Sequence, residues 1–189
     1  HEEVIRPDGA QPGDALLVTT GPASETAGLF ASMFPEQLGL DAGTVAAGQA
    51  RLDDVACVED ALALAEFDTH AMHDATECGV QGGLTEMADS AGVRMDIDRE
   101  TFVYGDGVQA VCDAIGVDPL QVTSSGTLLV AIDPDDAERA VDRLTEQGTP
   151  AAVVGTVSAG EGVFESGERL AHPGSDPSWA AYDEYRNER

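Results

Sequence analysis

HAMHDATECGVQGGLTEMAD, residues 70–89, sets two histidines, an aspartate, a cysteine and three glycines ahead of an apolar stripe. Val80, Leu84, Met87, Ala88 and Ala91 recur at helical spacing, and Gly92 supplies a left-handed stop. The stretch predicts a short strand over 69–73 and a helix over 79–91. A strand that feeds a helix through a glycine-bearing turn belongs to folds in which helices cover a sheet.

Three chemistries fit the turn. His70, His73 and Cys78, with Asp74 nearby, are zinc-type ligands. Strand alternation, however, sends residues three apart to opposite faces, and the other histidines, His1 and His172, stand at the two ends of the chain. No metal ligand is assigned. The second chemistry is anion binding, because a helix N-terminus offers unpaired N–H groups and the positive end of the dipole. Gly79, Gly82 and Gly83 cost the helix roughly 1 kcal/mol each against alanine, but allow a ligand or another segment to approach closely. In that reading the amides of residues 79–83 face an open crevice, Thr76 caps the helix through its hydroxyl, and Asp74 suits magnesium or substrate orientation. The third reading gives the glycines to helix–sheet packing and Asp74 to capping. Spacing alone leaves all three open.

Outward from this stretch, ALLVTTG (15–21) reads as a buried strand closed by Gly21-Pro22, and 24–34 as a helix that must stop before Pro35. Residues 42–66 form one alanine-rich helical region, with Val55, Val58, Leu62 and Ala65 on its apolar face. A strand at 93–98, a helix through Val108, Val111, Cys112 and Ile115 with its stop at Gly116, and a strand at 127–132 follow. Asp133-Pro134-Asp135-Asp136 is a strong helix start that turns Ala137, Ala140, Val141 and Leu144 inward until Gly148. A strand at 151–158 follows, with 162–166 as its hairpin partner. Strands and helices in this irregular order predict an α+β fold, a three-layer α-β-α arrangement whose mixed sheet is flanked by helices on both faces. Cys112 and Cys57 read as core residues, and Trp179, Tyr182 and Tyr185 as packing against the sheet. One domain over 1–170 and an acidic surface tail over 171–189 complete the organisation.

Charge narrows the class of partner. Of 189 residues, 36 are acidic and nine basic, all nine arginine, for a formal net charge of −27. Such a surface repels nucleic acid phosphates and anionic membranes. Self-repulsion on this scale needs screening, and molar salt shortens the Debye length to ~3 Å, so the reading is a protein of a salt-rich, halophile-like cytoplasm. Three scattered cysteines without a CxxC pair fit a reducing compartment. No apolar run approaches the length of a membrane span and no leader opens the chain, which supports a cytoplasmic location. The opening HEEVIRPDGAQPGD reads as the interior of something larger.

HDATECGVQGGLTEMADSAGV also resembles the C-terminal-domain motif of the aminoimidazole ribonucleotide (AIR) synthetase superfamily, close to H-D-x-T-x-G-G before an apolar helix. QPGDALLVTTG, VCDAIGVDPLQVTSSGTLLVAI and DPDDAERAVDRLTEQGTPAAVVGTV are similar to three further segments of that domain, in the right order. The archaeal, HypE-like branch is the nearest match. The resemblance implies a partly ferredoxin-like fold and phosphoryl transfer from ATP to activate an oxygen or selenium centre. It also implies a separate N-terminal domain that carries most of the ATP and magnesium contacts and dimerises. A small phosphate-bearing molecule would be the substrate-side ligand. The resemblance places His73 and Asp74 at the reacting centre, and Thr76, Gly79, Gly82, Gly83, Ser124, Ser125 and Gly126 at the substrate or phosphate. Two departures matter: Cys78 replaces the first of paired glycines, and no cysteine follows Cys112 to carry a carbamoyl group. Carbamoyl dehydration is therefore not expected, and a non-catalytic metabolite- or partner-binding module is the alternative.

Overall fold

The computed structural model describes residues 4–187. Seven strands form one sheet: β1 (Ala15–Thr19), β2 (Thr69–Ala75), β3 (Val93–Ile97), β4 (Thr127–Ile132), β5 (Ala151–Ala159), β6 (Gly162–Glu165) and β7 (Glu168–Leu170). Their spatial order is β2-β4-β1-β5-β3-β6-β7, antiparallel throughout except for the parallel pair β3–β6. Seven helices accompany it: α1 (Ser24–Met33), α2 (Ala42–Ala50), α3 (Val58–Leu64), α4 (Gly79–Ala91), α5 (Val108–Ile115), α6 (Pro134–Glu146) and α7 (Pro177–Asn187). The α+β architecture with a mixed, helix-flanked sheet is the one the element order predicts.

Alternation along β1 divides the core. Leu16 and Val18 face α4 with Val80, Leu84 and Met87, while Leu17 turns to α6, meeting Ala140 and Leu144. A further cluster gathers α1, α2 and α5 around Phe30, Phe34, Val111 and the fully buried Cys112. At the start of α6 the Asp133 carboxylate accepts from the Asp135 amide at 2.8 Å, so the acidic cap does what its sequence position implies.

Four local expectations change. The region 42–66 is not one helix: α2 gives way to a 3-10 turn at Arg51–Asp54, and α3 starts afresh at Val58. Leu52 packs where Gly28 lacks a side chain, and Arg51 pairs with Asp54 at 3.0 Å, fixing the turn. As a result α3 buries Asp60, Ala63 and Leu64, whereas Val58 and Leu62 of the expected inner face are 70% and 67% exposed. Cys57 is only half-buried at the edge of the core. Residues 162–165 form a strand, but β3 lies between it and β5. The chain crosses the start of β3 through Gly160, at φ +142°, and Glu161. Finally, Tyr182 and Tyr185 of α7 pack on α1 rather than on the sheet, with rings 5.5–5.8 Å from Phe30 and Phe34, and Trp179 is exposed.

Candidate functional site

Antiparallel pairing of β1 and β2 with β4 brings three turns to one end of the sheet: 20–23 after β1, 76–78 after β2 and 123–126 before β4. The Ser124 amide donates to the Thr76 carbonyl at 3.3 Å, and the Ser124 hydroxyl accepts from the Ala23 amide at 2.7 Å. Thr20 donates to the Gly126 carbonyl, Thr127 to that of Gly21, and Thr26 to that of Thr123. Thr20, Ala23 and Cys78 all hold left-handed backbone, with φ of 60°, 60° and 63°. Strained non-glycine residues of this kind persist only where the surroundings over-determine them. Ser24, at the first turn of α1, is buried with its hydroxyl unpartnered.

The glycines of the opening stretch are packing residues in this structure. Gly79 is left-handed at φ +56°, and a Cβ there would collide with the Val122 carbonyl oxygen. A Cβ on Gly83 would meet Leu129 of β4 at 2.5 Å, and one on Gly82 would meet the Cβ of Cys78 at 2.7 Å. Residues 79–84 are buried, and the amides of Gly79 and Gly82 donate to the carbonyls of Thr76 and Cys78, both at 3.0 Å. Thr76 does not cap α4 through its hydroxyl; its carbonyl accepts from Gly79, and the residue at the cap position is Cys78. The end of the helix is instead held by Asp176. One oxygen of that carboxylate accepts from the Cys78 amide at 3.0 Å and the Thr123 hydroxyl at 2.7 Å, and the other from the amide and hydroxyl of Ser178. A carboxylate at the positive end of a helix is electrostatically favoured.

His73 and Asp74 stand beside these turns. The His73 Nε2 lies 2.9 Å from Glu86 of α4, and its Nδ1 3.5 Å from Asp74, whose side chain is exposed. His172 reaches the other Glu86 oxygen at 3.4 Å, with its Nδ1 accepting from Gly174. His70 does not join them: it pairs with the buried Asp14 at 2.8 Å. Among the described residues no group of three or more His, Cys, Asp or Glu side chains converges in a form able to hold a metal, and His1 lies outside them. Burial first, then the carboxylates of Asp176, Glu77 and Glu86, raises the Cys78 thiol above its ordinary range. Thiolate chemistry is thereby disfavoured there.

The structure thus gathers Thr76, Ser124, Ser125 and Gly126 at one rim, with His73 and Asp74 on the neighbouring strand. Sequence reasoning missed the α1 side of this rim, Thr20 to Thr26, and the Asp176 clasp. Both had signals: a Thr-Thr-Gly-Pro break between a buried strand and a Ser-Glu-Thr helix start, and an Asp-Pro-Ser helix start at 176–178. A cavity of about 1070 Å³ lies between α3 and β2 and touches His73 and Asp74. No helix among the described residues is long and apolar enough to cross a membrane.

A mixed sheet with a strand–turn–helix rim of this kind defines a PurM-like domain. The chain belongs to the family of AIR synthase related proteins, C-terminal domain, whose pattern matches residues 11–167. Carbamoyl dehydratase HypE of Azotobacter vinelandii is 31% identical over 159 residues, which cover 83% of this chain and 45% of that protein. The crystal structure of E. coli HypE superposes with a TM-score of 0.76 at 26% identity, over 92% of this chain and 54% of that one. A hydrogenase maturation protein HypE solved in complex with ATP has a TM-score of 0.67 at 20% identity, over 92% and 55%, and shares the fold. The chain spans about half the length of the curated relatives it matches.

Proposed function

We propose that this chain is the substrate- and phosphate-binding half of a HypE-like, ATP-dependent enzyme that activates a substrate by phosphoryl transfer. The observation that carries the reading is the meeting of the family-motif turns at one rim, where the Ser124 amide bonds the Thr76 carbonyl. Phosphoryl transfer asks a protein mainly for positioning and charge stabilisation, which a rigid rim of short turns can supply. In this reading His73 and Asp74 face the reacting group. Thr76 and Ser125 offer hydroxyls to the substrate, while Gly79, Gly82, Gly83, Ser124 and Gly126 shape the wall behind them.

ATP and magnesium would be held mostly by a nucleotide-binding domain N-terminal to this one, the partner that completes the site and dimerises. Magnesium commonly takes one or two carboxylates and otherwise phosphates and water. The exposed Asp74 fits as one such carboxylate, and this chain offers no complete cage of its own among the described residues. A polypeptide extended to the length of its relatives is expected to release phosphate from magnesium–ATP, whereas these 189 residues alone do not. Asp74→Ala in the longer protein should lower kcat by about a hundredfold with the fold intact by circular dichroism. Unchanged turnover would remove Asp74 from the site.

A second reading, a module that keeps the fold and binds a metabolite or partner without catalysis, is favoured by Asp176, which fills the amide end of α4. It predicts ligand binding by the longer protein with no phosphate release at any magnesium concentration.

A further inference from the structure

α3 carries two apolar faces, and the core uses one. Ala63 and Leu64 are buried, while Val58 and Leu62 point outward. Val4 on the incoming segment is 79% exposed and lines the same groove, so three of the seven large exposed apolar residues among the described ones gather here. A helix apolar on every side is normally covered, and contiguous exposed apolar surface on an otherwise charged protein marks an interaction site.

The groove beneath them runs along a strand edge. β2 ends the sheet, and among the described residues no strand pairs with its outer side. Met72 and Asp74 project to the α3 side and His73 to the α4 side, yet all three line the cavity, so it follows the edge of β2 rather than one face. Pro7–Gly9 closes that edge at His70, since Gly9 sits against the His70 carbonyl. Among the described residues no strand pairs with the outer side of Met72–Ala75.

Charge selects the occupant. The lining contains two carboxylates, Asp68 and Asp74, and no arginine. Arg6 and Arg139 beside it are each tied to a carboxylate of their own, Asp8 and Asp136. The two lining carboxylates are six residues apart, roughly 20 Å of extended chain.

We propose that this groove docks an extended segment of a partner protein, which adds a strand to Met72–Ala75. Alternate apolar side chains of that segment seat against Val58, Ala61 and Leu62, and basic residues at its ends meet Asp68 and Asp74. Ladder hydrogen bonds supply affinity in this mode of recognition, and side-chain pockets supply specificity. The segment engages Asp74, which the nucleotide reading gives to magnesium, so docking and turnover compete at this residue.

The test uses the isotope-labelled chain and three capped hexapeptides: alternating valine and threonine with arginine ends, the same with glutamate ends, and the arginine form with a central proline. The first should shift the amides of residues 72–75 and slow their exchange. Leu62→Asp should weaken that binding about tenfold or more, while the amides of β4 keep their wild-type shifts. The proposal falls if none of the 72–75 amides responds, or if the glutamate or proline peptide acts equally well. It also falls if these amides shift with protein concentration alone and light scattering shows a dimer, since a second copy is then the occupant. Protection of these amides before peptide is added, in a polypeptide of the relatives' length, overturns it in favour of the protein's own other domain.

Discussion

Gly79 has two independent reasons to lack a side chain: its left-handed backbone and the Val122 carbonyl standing where a Cβ would be. Gly79→Ala should therefore cost about 2–4 kcal/mol in denaturant unfolding, well beyond a typical surface change. A loss under about 1 kcal/mol would mean that the 120–122 segment can move aside. Cys112 makes a pH prediction. Burial, then Asp113 and Asp118, pushes its thiol up from an ordinary 9.0 to about 12. The folded state thus keeps this proton when the unfolded chain has lost it. Its contribution is complete below pH ~9 and is lost as pH rises towards ~12, at up to ~1.4 kcal/mol per pH unit. Unfolding free energies across that window should fall less steeply in Cys112→Ala than in the parent chain. An equal slope would show that the thiol titrates normally. At this scale the sequence announced Cys112 correctly, because its helical stripe reports burial. It could not announce what stood behind Gly79, since Val122 comes from the distant loop that precedes β4.

Helix α4 and helix α3 show how far an element can be read from its residues. The stripe of α4 is long, has one apolar face and ends at Gly92, and the helix forms where periodicity puts it, Gly79–Ala91. α3 has seven residues, too few for periodicity to choose between two apolar faces, and the choice falls to Asp60. That buried carboxylate accepts from Gln147 and Thr149, whose positions depend on α6 and β5. The candidate rim divides in the same way. Its β2–α4 turn and the Ser-Ser-Gly turn were legible as motifs, whereas the Asp176 contact needed the tertiary fold. Asp176 is the place to test that contact. Asp176→Ala removes four accepted hydrogen bonds and leaves the Cys78 amide without its partner. It should cost about 1–3 kcal/mol, and hydrogen exchange should speed up over residues 171–187 more than over β4. Equal acceleration in both regions would mean that the contact serves the whole fold rather than the C-terminal segment.

For the molecule as a whole, charge and topology set the terms. A net charge of −27 on 189 residues leaves a self-repulsion that salt alone can relieve, because the arginines are mostly engaged in local pairs. Raising potassium chloride from 0.1 to 2 M should lift the thermal midpoint by about 5–10 °C, as expected if screening recovers a few kcal/mol. A flat or falling midpoint would remove the reading of a salt-rich cytoplasm. The fold class was legible at this scale because four motif segments stand in family order, but strand order was not, since no local pattern states which strands become neighbours. That order has a consequence for biosynthesis. Within this domain β1 is the first strand to be made, yet both its neighbours, β4 and β5, follow more than a hundred residues later. Until Thr127 has emerged, β1 has no strand of this domain to pair with, and the nascent chain must be shielded while it waits. Termination before that point would leave this domain with helices but no sheet, since β1, β2 and β3 pair only with later strands.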